Sequence, residues 1–371
     1  MKRAELSGLS QRMEEAVATG VFPGAVLWVQ EAGRCVHASA HGKLRTDKPG
    51  PDVALDTCFD LASLTKVLST AALMMDALSR GRIALDAPVT RFLPGFADDR
   101  VTLSHLLEHS SGLIAWRPFF EEVAAAAGGN MLATDKGRDA IRALVLAEKP
   151  VKDPGSAVEY SDLGFILLDW ILEKVTGQSC DRLFDSRIRM RLNIPDLFFI
   201  DLKSPREARR RRGKRVFAAT EHCPWRGRTL VGEVHDDNTY AMGGVSGHAG
   251  LFGTAEGVAT LAQSWLDAWQ GRGKDWPSEL LRLFWKPSVQ EGSTRTLGFD
   301  RPASKDSQAG SKMGPKTVGH LGFTGTSLWI DPEAERMIIL LSNRVHPSRE
   351  NEKIKTFRPG LHDLVIEACT K

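Results

Sequence analysis

The chain is predicted to be α+β: one antiparallel sheet built from both ends of the chain and flanked by helices, with a mainly helical lobe inserted between the halves. Three observations lead there. β-type runs cluster near the ends, at 24–30 and 34–40 and again at 326–331 and 336–342. Helical periodicity dominates from about residue 85 to 250. The 371 residues exceed one typical domain of ~150 and fall short of three, which favours two packed lobes. This places residues 1–80 and 270–371 in the sheet lobe and 81–269 in the helical lobe.

In chain order, Leu6, Leu9, Met13 and Val17 mark an amphipathic first helix rather than the unbroken apolar stretch of a secretory signal. No run of ~20 apolar residues follows, so with Met1 as the native start a cytoplasmic protein is expected. The two N-terminal runs, split at Gly33, read as a hairpin. From 64 to 78, Leu64, Val67, Leu68, Ala71, Met74, Met75 and Leu78 give a helix that Gly81 stops, apolar on most faces and therefore buried. Further helices are expected at 139–148, 162–176, 255–269 and 360–368, and the last two strands meet at a Pro332 turn. The Ser-, Gly-, Pro- and Lys-rich stretch 301–316 reads as a mobile surface loop.

Apolar residues at 42% and charged residues at 26% are ordinary for a globular protein and exclude a disordered or fibrous chain. Lys plus Arg number 49 against 46 for Asp plus Glu, too even for nucleic acid or an acidic membrane to be the main partner. One basic run, Arg206, Arg209 to Arg212, Lys214 and Arg215, is expected to be a solvated loop. The five cysteines, Cys35, Cys58, Cys180, Cys223 and Cys369, contain no Cys-x-x-Cys pair and read as reduced, mostly buried thiols. No cofactor or metal is expected.

The chemistry begins at Ser63-Leu64-Thr65-Lys66. A serine hydroxyl attacks poorly until a base takes its proton, and a helix starting here puts Lys66 on the face of Ser63 one turn later. The free N–H groups at the helix start favour negative charge beside Ser63. Lys66 is the only charge from 64 to 75, and desolvation would lower its pKa toward that of a neutral base. The tetrapeptide alone is equally served by a capping serine and a lysine whose stem covers apolar surface. Two further segments weigh in. Tyr160, one of only two tyrosines, sits in Tyr160-Ser161-Asp162 after a Pro154-Gly155 turn, and His320-Leu321-Gly322-Phe323 lies among glycines that allow close approach of a substrate to the backbone.

In this order the three motifs resemble those of the penicillin-recognising serine hydrolases: serine β-lactamases, D-alanyl-D-alanine peptidases and related esterases. Ser63 to Lys66 is similar to the Ser-x-x-Lys motif, Tyr160-Ser161-Asp162 to the Tyr-x-Asn of the class C branch, and His320-Leu321-Gly322 to the Lys-Thr-Gly strand motif. Segments 106–113 and 247–251 resemble the same branch, so the likeness runs from about residue 20 to 345. It implies a β-lactamase/transpeptidase-like fold and an acyl-enzyme on Ser63, with Lys66 and Tyr160 sharing proton transfer and the amides of Ser63 and Phe323 forming the oxyanion hole. His320, Gly322 and Asp162 would line the substrate site. Asp162 stands where Asn is usual, and His320 and Leu321 replace the Lys and Thr that help hold a substrate carboxylate in β-lactamases. A small neutral ester or amide is therefore the expected substrate, with β-lactamase or D-alanyl-D-alanine carboxypeptidase activity as the alternative.

Other classes compete. His105-Leu106-Leu107-Glu108-His109 matches the His-x-x-Glu-His zinc pattern, and a non-catalytic binding or sensor protein could share the fold. The stretch 233–238, with His235 between acids, reads as a polar loop that satisfies its own hydrogen bonds. Segments 301–316 and 113–129 would shape the cleft. The sequence is silent on oligomeric state.

Overall fold

The structure is a computed structural model that describes residues 3–126, 130–290 and 292–370, with side chains from residue 8 onward. The side chain of Leu6 and residues 127–129, at the end of segment 113–129, lie outside the described residues. Five helices matter for the site: α1 (Arg3–Ala18), α2 (Ala72–Ser79), α3 (Asp162–Thr176), α4 (Ala255–Trp269) and α5 (Ile354–Thr370). The main sheet has strands β1 (Gly24–Glu31), β2 (Arg34–Gly42), β3 (Val318–Leu321), β4 (Ser327–Asp331) and β5 (Arg336–Ser342). Their order is β2-β1-β5-β4-β3, antiparallel throughout. The sheet thus joins both ends of the chain, as the β-type runs predict.

Alternation along β1 and β5 sorts the core into two layers. Ala25, Leu27, Val29, Ile338 and Leu340 face Leu9 and Met13 of α1 and Phe357, Leu361 and Val365 of α5. Val26, Met337, Ile339 and Leu341 join the larger core on the other face, with Val258, Leu261 and Trp265 of α4. Helix α4, placed by the sequence reading in the middle lobe, packs on β1 and β5. The rest of that core surrounds α3, whose Leu163, Phe165, Ile166, Leu167, Leu168, Ile171 and Leu172 are buried.

Several expectations change. The helix after Ser63 opens with a π-helical stretch, Lys66–Ala71, before α2. Just before Ser63, Phe59–Asp60 lies in a separate small sheet with Leu251–Gly253 and Leu197–Phe199 and not in the main sheet. The basic run is a helix, Pro205–Arg212, and not a loop. Three of its arginines are engaged: Arg210 and Arg211 with Glu207, Arg211 also with Asp185, and Arg212 with the Gly232 carbonyl. The last helix begins at Ile354, six residues before the expected start, and carries Pro359 inside it, with Ile354 and Phe357 packed into the core. Segment 301–316 has no regular structure, but the Ser311 and Lys312 amides donate to Asp363 of α5. No disulfide forms among the described residues, and Cys58, Cys180 and Cys223 are buried while Cys35 is exposed. No described helix is long and apolar enough to cross a membrane.

Candidate active site

Ser63 follows Ala62, whose φ of 47° is left-handed, a conformation that side chains other than glycine adopt only when held. The hold is visible. The buried Asp60 carboxylate accepts from the Ala62 amide at 2.9 Å and from the His235 amide at 2.6 Å. One turn on, the Lys66 ammonium donates to Ser63 Oγ at 3.0 Å and to the His248 carbonyl at 3.3 Å. The Lys66 side chain is fully buried and pairs with Asp162 Oδ1 at 2.7 Å. Asp162 occupies the first turn of α3, where the helix dipole favours a carboxylate. Tyr160, half-buried, places its hydroxyl in hydrogen-bond reach of Ser63 and Lys66.

The pair Lys66 and Asp162 revises the expectation of a neutral lysine. Burial opposes charge on Lys66, but attraction to Asp162 and the Tyr160 oxygen outweighs it and raises its pKa above the ordinary value. Burial, reinforced by Asp162, likewise raises the Tyr160 pKa against the pull of Lys66. The resting site therefore holds an ammonium beside a carboxylate, with the phenol protonated.

The zinc reading fails on geometry. His105 Nδ1 accepts from the Thr102 amide in a helix cap, Glu108 accepts from Ser288, and His109 Nδ1 accepts from the Ser161 amide at 3.0 Å. His109 also stacks obliquely on Tyr160, with centroids 4.5 Å apart, and its carbonyl accepts from Glu159. It is a support for Tyr160. Among the described residues, the group that could bring ligands together for a metal is Asp162, Asp236 and His248. Lys66 already supplies a positive charge to Asp162 there.

Opposite Ser63 lies the turn from β3 to β4. Thr324 Oγ1 donates to the Asp60 carbonyl at 2.7 Å and Thr326 Oγ1 to the Leu61 carbonyl at 3.0 Å, which tie this turn to the serine loop. Gly322 is required: a Cβ there would lie 2.0 Å from Thr326 Oγ1 and 2.6 Å from the Leu61 carbonyl. The amides of Ser63 and Phe323 have no acceptor among the described residues. The Phe323 ring is held between the His235 ring, stacked at 5.6 Å, and the Arg344 guanidinium at 4.5 Å.

His320 turns a lone pair, and no proton, toward the cleft. Its Nδ1 lies 2.7 Å from the Leu321 carbonyl, which can only accept, so that nitrogen carries the proton. Burial, with help from the Lys66 and Arg295 charges, pushes its pKa down to about 3. His320 is thus neutral, and its buried Nε2, without a partner, offers a lone pair.

Ser63, Tyr160, Asp162, His320, Gly322 and Phe323 all line one cavity of about 660 Å³, and Lys66 lies beneath Ser63. Sequence reasoning missed much of its remaining wall: His235, Asp236, Asp237 and His248, and a far end formed by Arg344, Arg349, Lys355 and Arg358. The stretch 233–238 is a wall of the cleft rather than an independent loop. Asp236 accepts from the Thr239 amide at 2.7 Å and meets His248 Nε2 at 3.0 Å. Burial opposes its charge, but His248 and Thr239 hold its carboxyl below the usual range. The alternation of acids and histidine in 233–238 was the available signal.

A serine, a buried lysine and a tyrosine converge here, beside two unengaged amides, at the boundary of a helical core and an antiparallel sheet. The beta-lactamase family model matches residues 9–358. The chain belongs to the beta-lactamase family. Within it, the chain is 34% identical to a putative D-alanyl-D-alanine carboxypeptidase of Escherichia coli K12, over 78% of this chain and 70% of the relative. It is 31% identical to an N-acetylmuramyl-L-alanine amidase of Bacillus subtilis, over 92% and 81%. Among solved structures, EstCE1, a hydrolase with promiscuous acyltransferase activity, superposes with a TM-score of 0.73 at 20% identity, over 98% of this chain and 99% of that one. The protein is a serine hydrolase of this family with its β-lactamase/transpeptidase-like fold.

Proposed function

We propose that Ser63 attacks the carbonyl of a small ester or amide and carries the acyl group as a covalent intermediate. The observation that carries this reading is the 3.0 Å contact from Lys66 Nζ to Ser63 Oγ in a site that buries the lysine completely. The attack forms an Oγ–C bond and sends the serine proton to the Lys66 and Tyr160 pair, in the fraction of molecules where that pair holds one proton fewer. The amides of Ser63 and Phe323 receive the carbonyl oxygen as it gains charge. The same pair then returns the proton to the leaving group, and water releases the acid. His320 and Gly322 line the substrate side, and Asp162 sets the charge state of Lys66. An amide, as in the names of the carboxypeptidase and amidase relatives, and an ester use the same steps.

Ser63→Ala should abolish turnover of p-nitrophenyl butyrate and of a D-alanyl-D-alanine dipeptide while the circular dichroism spectrum stays native. Mass spectrometry of the wild type should show an acyl adduct on the peptide containing Ser63. Retained turnover in the variant would refute the assignment.

A further inference from the structure

The cavity that holds Ser63 continues to a basic end formed by the segment after β5 and by α5. Most cations there are engaged within the protein. Arg349 pairs with Glu221 and Asp237, Lys355 with Glu352, and Arg344 donates to the carbonyls of Phe323, Arg349 and Asn351. Arg358 differs. It lines the cavity, is 4% exposed, and has neither a hydrogen bond nor an ion pair among the described residues. Burial and the nearby Arg344 push its pKa down to about 10, so it remains a cation at neutral pH. Two neighbouring acceptors are also buried and unused: Gln308 Oε1 and His362 Nε2, the latter left without its proton because His362 Nδ1 donates to the Gln308 carbonyl.

A buried guanidinium without a counter-charge destabilises the fold, and such a group is tolerated where a ligand completes it. Its planar fork fits a carboxylate through two parallel hydrogen bonds. We propose that Arg358 is an anion subsite, and that the ester or amide cleaved at Ser63 carries a carboxylate, remote from the scissile bond, that pairs with Arg358. This rests on the reading of Ser63 as nucleophile. It also moves carboxylate recognition from the strand position of His320, which offers a lone pair, to helix α5, and so replaces the expectation of a neutral substrate.

The test compares p-nitrophenyl monoesters of succinic, glutaric, adipic and suberic acids with esters of equal length ending in methyl. Wild type should favour at least one carboxylate-ended ester by about ten- to a hundredfold in kcat/KM, the scale of a charge-assisted hydrogen bond. Arg358→Met should lose that preference mainly through KM, keep its rate on the methyl-ended esters, and melt at a higher temperature because the unpaired buried charge is gone. Arg358→Lys should retain part of the preference. Competition in the unmodified protein gives an independent readout: the free diacids should inhibit turnover of the methyl-ended esters and the corresponding diamides should not. Equal treatment of both ester series by wild type, or no inhibition by any diacid, overturns the subsite. Failure of the Ser63 reading is separable, because Ser63→Ala would then turn over both series.

Discussion

Charge at single residues sets the working state of this site. Asp162 stands where the Tyr-x-Asn motif that this segment resembles has an amide, and it meets Lys66 at 2.7 Å inside a site that leaves the lysine no exposure. The negative charge favours the protonated lysine, so it opposes formation of the base that acylation needs. The sign of the consequence follows. Asp162→Asn removes that attraction while burial persists, so the Lys66 pKa falls and the basic form appears at lower pH. The acidic limb of kcat/KM for p-nitrophenyl butyrate, which reports the free enzyme's base, should move to lower pH, with a higher rate at pH 7. A limb that stays in place, or moves up, would mean that another group titrates there. Ser63, Lys66 and Tyr160 were legible because their spacing and flanking turns are local. The pairing of Asp162 with Lys66 was not, since nothing in either segment states that a helix start and a helix stretch will meet. The proton on His320 Nδ1 was equally hidden, being set by the direction of one backbone carbonyl.

Between elements, the site depends on how closely the β3 to β4 turn approaches the serine loop. Thr324 and Thr326 donate to the carbonyls of Asp60 and Leu61, and Gly322 leaves the space that allows it. The glycines in this segment pointed to close approach of a substrate, not to the contact of Gly322 with the serine loop. Gly322→Ala would put a methyl group 2.6 Å from the Leu61 carbonyl. That oxygen is main chain next to the strained Ala62, so relief must come from moving the turn and with it the Phe323 amide. A displacement on the order of 1 Å at a reacting centre costs about a hundredfold. We expect kcat/KM for p-nitrophenyl butyrate to fall by about that factor, with kcat carrying most of the loss and the circular dichroism spectrum native. A change smaller than about threefold would show that the amide of Phe323 does not serve the reaction. The π-helical stretch from Lys66 was also beyond the periodicity, because its apolar residues satisfy α and π spacing alike over so short a run.

At the scale of the molecule, the sheet is assembled from both ends of the chain, and its closure brings the Ser63 loop from one end beside β3 and α5 from the other. The β-type runs near both ends predicted the strands, yet they could not say which buried side chains lock the ends together. Asn343, directly after β5, is one that does. Its Oδ1 accepts from the Gly24 amide at 2.9 Å, and its Nδ2 donates to the carbonyls of Leu44 at 3.0 Å and Ala219 at 3.1 Å. The side chain is 1% exposed, so water cannot replace these bonds. One residue thus joins the first strand, the segment after the hairpin and the middle of the chain to the last strand. Asn343→Ala would leave the Gly24 amide and both carbonyls without this partner, and an unsatisfied buried group costs roughly 1 to 3 kcal/mol. Partial relaxation and sharing make about 2 to 4 kcal/mol the expected total. Asn343→Asp should cost more than Asn343→Ala, because it keeps the acceptor but turns a carboxylate toward two carbonyl oxygens. Urea unfolding at pH 7 should show lower midpoints in the order wild type, Asn343→Ala, Asn343→Asp, with an unchanged slope. Stability of the alanine variant within about 0.5 kcal/mol of wild type, the range of an ordinary surface substitution, would mean that the two ends are held by the core layers alone.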